Sequence, residues 1–167
     1  TWQVFSVLQV LGLAWVQTRV PRFGMLIAKR DFAGLDVLWR HTALVAIGVF
    51  ALGMGAFLLF QMLLNYFDIE FARRLVGTEL AVLLLPTGLL ALWVQCAASY
   101  WRAHKAEPLG FSAAIPGLIN GALVWWLGMN YGAAGAIAAY LLMLALISTP
   151  LSLYLKYKVT HAYRAQC

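Results

Sequence analysis

The sequence predicts an all-α integral membrane protein, a single domain built as a bundle of about five transmembrane helices. Hydrophobic residues make up 63% of the chain and charged residues only 11%, and the charges leave long uncharged runs between them. An ordinary soluble domain has about 25% charged residues. Because this chain has too few polar groups to cover a surface in water, lipid is the expected solvent for much of it.

Four runs without a charged residue define the spans: 1–18, 41–67, 80–101 and 108–155. A helix needs about 20 residues to cross the hydrocarbon core, so each of the first three runs holds one span. The last run would make a helix about 72 Å long and must fold back. The turn is expected at 128–132, where two glycines and an asparagine lie. The predicted spans are 1–18, 42–66, 80–101, 109–127 and 132–155.

The basic residues predict how these spans are oriented. Segments 19–40 and 102–107 and the tail after 155 must share one side of the membrane if there are five spans, and together they carry ten of the twelve Lys and Arg residues. The other side has only Arg73 and Arg74, which three nearby acidic residues offset. By the positive-inside rule the C-terminus is cytoplasmic. The same rule accounts for the net charge of +6, so no nucleic-acid partner is expected.

The first basic segment is predicted to be more than a loop. Apolar residues in 22–40 follow helical spacing, with charged residues between them. This pattern is typical of an amphipathic helix that lies on the membrane surface, and an irregular connector is the alternative. The sequence also begins within an apolar run and without Met, so the chain is expected to be a fragment of a longer protein.

Catalytic chemistry has little support in the sequence. The six acidic residues and three histidines are scattered among the segments between the spans, and the two cysteines have no metal-ligand spacing. No zinc-protease, nucleophile-elbow or phosphate-loop motif is present. We therefore expect no catalytic residue, no metal, no cofactor and no enzymatic activity.

The uncommon residues within the spans predict a path and a packing surface instead. Gln95 and Asn120 are the deepest polar residues, and each is expected either to line a cavity or to form a hydrogen bond with another helix. In the loop between two spans, Arg73 and Arg74 could attract an anion at the outer mouth or pair with nearby acidic residues. Prolines that could kink their helices are Pro86, Pro116 and Pro150. Pairs of small residues that could form helix contacts are Gly117 with Gly121, Ala51 with Gly55, and Gly135 with Ala139.

Two stretches resemble a known family. The first is residues 17–31, QTRVPRFGMLIAKRD, and the second is residues 100–108, YWRAHKAEP, followed by YGAAGA at 131–136 and AYL at 139–141. Together they resemble the C-terminal part of polysaccharide-biosynthesis flippases of the O-antigen transporter type, which belong to the multidrug/oligosaccharidyl-lipid/polysaccharide exporter superfamily. The resemblance covers nearly the whole chain.

The resemblance implies a transporter of 12 or 14 spans, of which this chain would be the C-terminal lobe. Such a protein moves an undecaprenyl-diphosphate-linked oligosaccharide across the bacterial cytoplasmic membrane by alternating access. Its expected partners are the lipid bilayer, the lipid-linked oligosaccharide and a missing N-terminal lobe. The basic residues that would hold the diphosphate belong largely to the missing spans, so none is assigned here.

Three alternatives remain. A cation-coupled multidrug exporter of the same superfamily would be expected to carry carboxylates within its spans, and this chain has none there. A polymerase or ligase of glycan assembly would be expected to have a large extracytoplasmic loop, whereas the longest predicted one covers only about 67–79. A purely structural membrane subunit is the third alternative.

Overall fold

The protein is described by a computed structural model that covers residues 2–67, 77–103 and 109–164. Throughout these three segments the elements are helices joined by short turns, which confirms the predicted all-α class. The elements are α1 (Trp2–Ala28), α2 (Phe32–Tyr66), α3 (Thr78–Ala103), α4 (Leu109–Met143), a π-helical turn (Leu144–Ser148) and α5 (Thr149–Arg164).

Three helical segments among the described residues are long and apolar enough to cross a membrane: Phe32–Tyr66, Glu79–Ala103 and Pro116–Lys158. This count is smaller than the five predicted spans. The predicted span 1–18 lies in α1, which contains three glutamines and is not among the three segments. The predicted spans 109–127 and 132–155 fall largely within the single segment Pro116–Lys158. The membrane-type helical class therefore stands, with three membrane-length segments.

The predicted interfacial segment 22–40 needs a correction. The structure divides it between the end of α1 and the start of α2, with a tight turn between them. Arg30 takes a positive φ of 59°, and the Asp31 side chain then caps α2 by accepting a hydrogen bond from the backbone N–H of Gly34 at 2.9 Å. A separate amphipathic helix is therefore absent from this described segment, because the chain reverses direction in its middle.

The turn makes α1 and α2 an antiparallel hairpin, and α3 packs alongside it. Near the far end of the hairpin, the Phe5 and Phe50 rings meet edge to face, with centroids 5.7 Å apart. Deeper in the bundle, a Cβ on Gly12 would lie 3.3 Å from the backbone oxygen of Ala46 and 3.2 Å from Leu92 of α3. The three helices therefore approach one another closely along much of their length.

The buried side chains form two clusters along this bundle. The turn-end cluster lies near the α1–α2 turn and comprises Val16, Phe23, Leu35, Trp39, Ala43, Ala46, Cys96, Ala97, Tyr100 and Trp101. The cavity-end cluster lies at the opposite end and comprises Phe5, Phe50, Met54, Leu84 and Leu92. Leu155 of α5 packs against the first cluster and Ile137 of α4 against the second, so the later helices span both.

Helix α4 is broken at Gly132, which has φ 64° and ψ −148°. A Cβ on Gly135 would run into the backbone oxygen of Leu127, and a Cβ on Gly128 would lie 3.6 Å from that of Ala136. Residues eight apart in a straight helix are separated by about 12 Å. The chain therefore folds back here, and the predicted turn at 128–132 is confirmed. We call residues 109–131 and 133–143 the two arms of α4.

Each predicted kink proline lies inside a helix, and so does Pro21 of α1. The clearest backbone irregularity is at Pro150, which follows the π-helical turn directly. Proline has no N–H to donate to the carbonyl of Leu146, four residues earlier. The N–H of Thr149 bonds the oxygen of Leu144, which is the longer spacing of a π-helix.

Candidate functional site

A cavity of about 530 Å³ lies between α1, α3 and both arms of α4. Its apolar wall is formed by Trp2, Phe5, Val10, Leu84, Ala91, Val124, Ala136 and Ile137. Its polar side chains are Ser6, Gln9, Thr87, Gln95, Asn120 and Tyr140. Ligand sites are typically concave and mostly apolar, with a few polar groups, and their volumes are about 300–1,000 Å³. This cavity has those properties.

Gln9 fixes α1 against α3 at the cavity. Its Nε2 donates a hydrogen bond to the backbone oxygen of Gly88 at 2.9 Å, and the side chain is buried. An amide that is removed from water without such a partner costs about 1–3 kcal/mol. The bond therefore favours one register of the two helices, and this register places Phe5 and Leu84 on a common wall.

Gly88 allows this close approach. A Cβ at this position would overlap the ring of Phe50 and lie 2.9 Å from Cε2 of Phe5. The absence of a side chain lets both rings pack directly on the α3 backbone. The Phe5 ring also lines the cavity, whose other walls include both arms of α4.

Two further polar residues of the lining bond their own helices. The Thr87 hydroxyl donates to the oxygen of Leu83 at 2.8 Å, and the Ser6 hydroxyl donates to the oxygen of Trp2 at 3.0 Å. Such back-bonding to an earlier turn satisfies a hydroxyl locally. These two groups are therefore not left in need of a partner from the cavity.

The structure places Gln95 and Asn120, the two predicted cavity residues, in the same lining although they belong to different helices. The Oδ1 atom of Asn120 is buried and has no hydrogen-bond partner among the described residues, whereas Gln95 is exposed. Whether a substrate passes these residues stays a prediction. Arg73 and Arg74 lie outside the described residues.

The predicted small-residue pairs have different surroundings. A Cβ on Gly117, Gly121 or Gly55 would meet nothing within 4 Å in the described part of the chain, so these positions make no close helix contact there. Ala51, the partner of Gly55, is only partly buried. Gly135 and Ala139 are buried, and Gly135 faces Leu127 across the turn in α4.

Three glycines that the pair pattern missed make close contacts with neighbouring helices: Gly12, Gly53 and Gly88. Helical spacing could have found Gly12. The buried face of α1 runs through Phe5, Gln9, Gly12 and Val16, which are three or four residues apart.

The turn-end cluster contains a charged contact that the sequence did not predict. The Nζ of Lys156, in α5, lies 3.2 Å from the centroid of the Trp39 ring and 5.3 Å from that of Tyr100. The Trp39 Nε1–H donates to the oxygen of Cys96 at 2.9 Å, and the Tyr100 hydroxyl donates to Oδ1 of Asp36 at 3.0 Å. One connected set of side chains thus joins α2, α3 and α5.

The described residues contain no group of three or more His, Cys, Asp or Glu side chains that could hold a metal ion. The cavity lining likewise contains no Asp, Glu, Lys, Arg or His among the residues that form it. Its polar groups are amides and hydroxyls. What this open cavity can do chemically is hold an uncharged group against its apolar wall and offer it hydrogen bonds.

These features define a helical protein of the membrane class, with three membrane-length apolar segments and a cavity between its helices. No family model matches the chain, and neither a curated protein nor a solved structure matches it. The resemblance to polysaccharide flippases therefore stays a prediction from the sequence motifs.

Proposed function

We propose that the protein is a membrane transporter that moves a lipid-linked oligosaccharide, carried on undecaprenyl diphosphate, across the bacterial cytoplasmic membrane. The observation that supports this proposal best is the uncharged cavity between α1, α3 and α4, because it brings Gln95 and Asn120 together within an apolar bundle. Polar residues within spans usually face a cavity or another helix. The motifs at 17–31 and 100–108 supply the substrate class.

The proposal includes the five-span arrangement. The fold-back at Gly132 supports two spans within the segment Pro116–Lys158, and α1 runs beside α2 and α3 as a further span. With five spans the C-terminus would be cytoplasmic, and the chain would form one lobe that rocks against an N-terminal lobe of the same protein.

A cation-coupled drug exporter is the second candidate, because a mostly apolar cavity with a few hydrogen-bonding groups also suits drug-sized compounds. The absence of a carboxylate from the residues that form the lining disfavours coupling at this cavity. An enzyme of glycan assembly has no comparable support from the cavity.

Deletion of the complete gene tests the substrate class. We expect lipid-linked glycan to accumulate in the inner leaflet, and the intact gene to restore export. Normal export in the deletion strain would reject the assignment. Export of the glycan together with a gain of drug sensitivity would instead support the drug exporter.

The orientation has a separate test. A single cysteine at Arg102, in a full-length protein whose own cysteines are replaced, should not react with an impermeant maleimide added outside intact cells. It should react once the membrane is opened. Labelling from outside would overturn the orientation, and the proposed lobe arrangement with it.

A further inference from the structure

We propose that Arg40 of α2 and Lys156 of α5 together bind the phosphate group of an anionic phospholipid at the membrane surface, with its acyl chains along exposed leucines of the same two helices. This inference assigns a binding site to the turn end of the bundle, away from the cavity. It goes beyond the proposed function, because it depends neither on the transported molecule nor on which side of the membrane the turn end faces.

The first argument locates the membrane surface on the bundle. Arg40 is the last charged residue before the uncharged run 41–67, and Lys156 is the first after the uncharged run 108–155. The structure brings these two positions together, because the Nζ of Lys156 lies 3.2 Å from the centroid of the ring of Trp39, the residue before Arg40. Basic side chains at the ends of spans lie at the level of the lipid headgroups. Two helices that are distant in the sequence therefore mark the same level.

The third helix of the bundle agrees with this level. The uncharged run 80–101 ends beside Tyr100, whose ring centroid lies 5.3 Å from the Nζ of Lys156. Tyrosine and tryptophan are enriched where a membrane meets water. Helix α2 has 35 residues and is about 52 Å long, so it must project beyond a hydrocarbon core about 30 Å thick. The segment from Phe32 to Trp39 is the part that projects at the turn end.

The second argument is the charge at this level. Arg40 lies close enough to Lys156 for the two positive charges to repel, and Asp36 acts on Lys156 with the opposite sign. Asp36 also accepts a hydrogen bond from the Tyr100 hydroxyl at 3.0 Å. Two cations and one carboxylate leave an excess of one positive charge among these three groups. A lipid phosphate carries one negative charge and can bond a guanidinium and an ammonium at the same time, so it offsets that excess.

The third argument distinguishes a lipid from free phosphate. An exposed leucine lies one helical turn from each cation on its membrane side: Leu44, four residues after Arg40, and Leu153, three residues before Lys156. These leucines are 69% and 50% exposed. The cations are accessible too, since Arg40 is exposed and Lys156 is only partly buried. One lipid can therefore place its phosphate on the cations and its chains on the leucines, whereas free phosphate gains nothing from the leucines.

The test compares the binding of two lipids to the full-length protein in detergent, measured by native mass spectrometry. Phosphatidylglycerol is anionic and phosphatidylcholine is zwitterionic, and both carry the same acyl chains. We expect phosphatidylglycerol to bind about five- to ten-fold more tightly. Equal affinities would overturn the proposal. Inorganic phosphate at the same concentration should not displace phosphatidylglycerol, and displacement would indicate a site for soluble phosphate and reject the lipid.

Two matched double variants locate the site. Arg40→Gln with Lys156→Gln should lower the preference for phosphatidylglycerol to about two-fold or less. Arg22→Gln with Lys29→Gln is the control, because it removes one arginine and one lysine from exposed positions nearer the turn and should leave the preference in place.

An equal loss of preference in both double variants would indicate general attraction to a basic surface and would reject the site. A preference that survives Arg40→Gln with Lys156→Gln would reject it as well. The single variant Arg40→Gln changes an exposed residue, keeps the contact of Lys156 with Trp39 and should still lower the preference. The site can therefore be tested even if the double variant fails to fold.

Discussion

At the turn end of the bundle the polar groups of Trp39 and Tyr100 have partners within the protein, whereas at the cavity end the buried oxygen of Asn120 has none. Trp39 donates to Cys96, Tyr100 donates to Asp36, and Lys156 lies over the Trp39 ring. The Nε1 of Trp101, also in the turn-end cluster, is buried without a partner among the described residues, so the two ends differ in the contacts of Trp39 and Tyr100 rather than in complete satisfaction of their polar groups.

The difference follows from where α4 and α5 pack. α5 lies against the turn-end cluster, so that a charged side chain and two aromatic rings close that end. At the other end α4 turns back on itself at Gly132, and its arms border an open cavity beside α1 and α3. A bundle built this way is expected to be rigid at the turn end and able to accept a ligand at the cavity end.

Truncation of Trp39 should have the largest effect. This side chain is only 2% exposed and makes the hydrogen bond, the ring contacts and the lysine contact of the turn end. We expect Trp39→Ala to lower the free energy of unfolding by about 3–5 kcal/mol in mixed-micelle denaturation. Val37→Ala is the control, because Val37 is 70% exposed and should change stability little. Similar losses of stability for both variants would show that Trp39 contributes no more to the free energy of unfolding than an exposed residue does.

A methyl group on Gly88 should disturb the cavity end. The new Cβ would overlap the Phe50 ring, so Gly88→Ala should lower the free energy of unfolding by about 1–3 kcal/mol. At Gly48 of α2 a Cβ meets nothing within 4 Å, so Gly48→Ala should stabilise the helix by about 0.5–1 kcal/mol. Shortening the ring with Phe50→Leu should rescue Gly88→Ala. Opposite signs for the two glycines are the expected result, and equal signs would contradict the packing.

The fold-back in α4 can be tested in the same assay. Gly132 has a φ and ψ that only glycine adopts readily, so Gly132→Ala should cost about 1–3 kcal/mol of the free energy of unfolding. Gly128→Ala provides the comparison, since its Cβ would make only an ordinary contact at 3.6 Å. A Gly132→Ala protein as stable as Gly128→Ala would mean that the chain continues through 132 as one helix, and the cavity would then lose a wall.

Uncharged runs and turn residues predicted much of this fold. A segment in lipid must form its backbone hydrogen bonds internally, so a long apolar run indicates a helix regardless of which residues pack against it. The turn at Gly132 was visible for a similar local reason, because glycine tolerates a positive φ. The tight turn at Arg30 and Asp31 was missed, although an Asp three residues before Gly34 is an ordinary capping signal.

Contacts between helices were harder to predict than the helices themselves. The pair Gly117 and Gly121 fits a packing motif and meets nothing within 4 Å in the described structure, whereas the single Gly88 carries the closest ring contacts. A local sequence pattern identifies one face of a helix, but it does not identify the helix that packs against that face. Gln95 and Asn120 were predicted to be deep because depth follows from position in a span, but their shared cavity depends on how α3 and α4 pack.

Removal of the Lys156 charge should have the smallest effect and should separate charge from packing at the turn end. Contacts of this kind contribute about 0.5–2 kcal/mol, depending on how far they are desolvated. Lys156→Met keeps most of the side-chain length and should lower the free energy of unfolding by that amount, while Lys158→Met, at an exposed position on the same helix, should leave it unchanged. In a double-mutant cycle the effect of Lys156→Met should shrink in the Trp39→Ala background, because the nearer of the two rings is gone and only the Tyr100 ring at 5.3 Å remains. If the Lys156 effect is the same with and without Trp39, the two residues do not interact, and the turn end is held by apolar packing and hydrogen bonds alone.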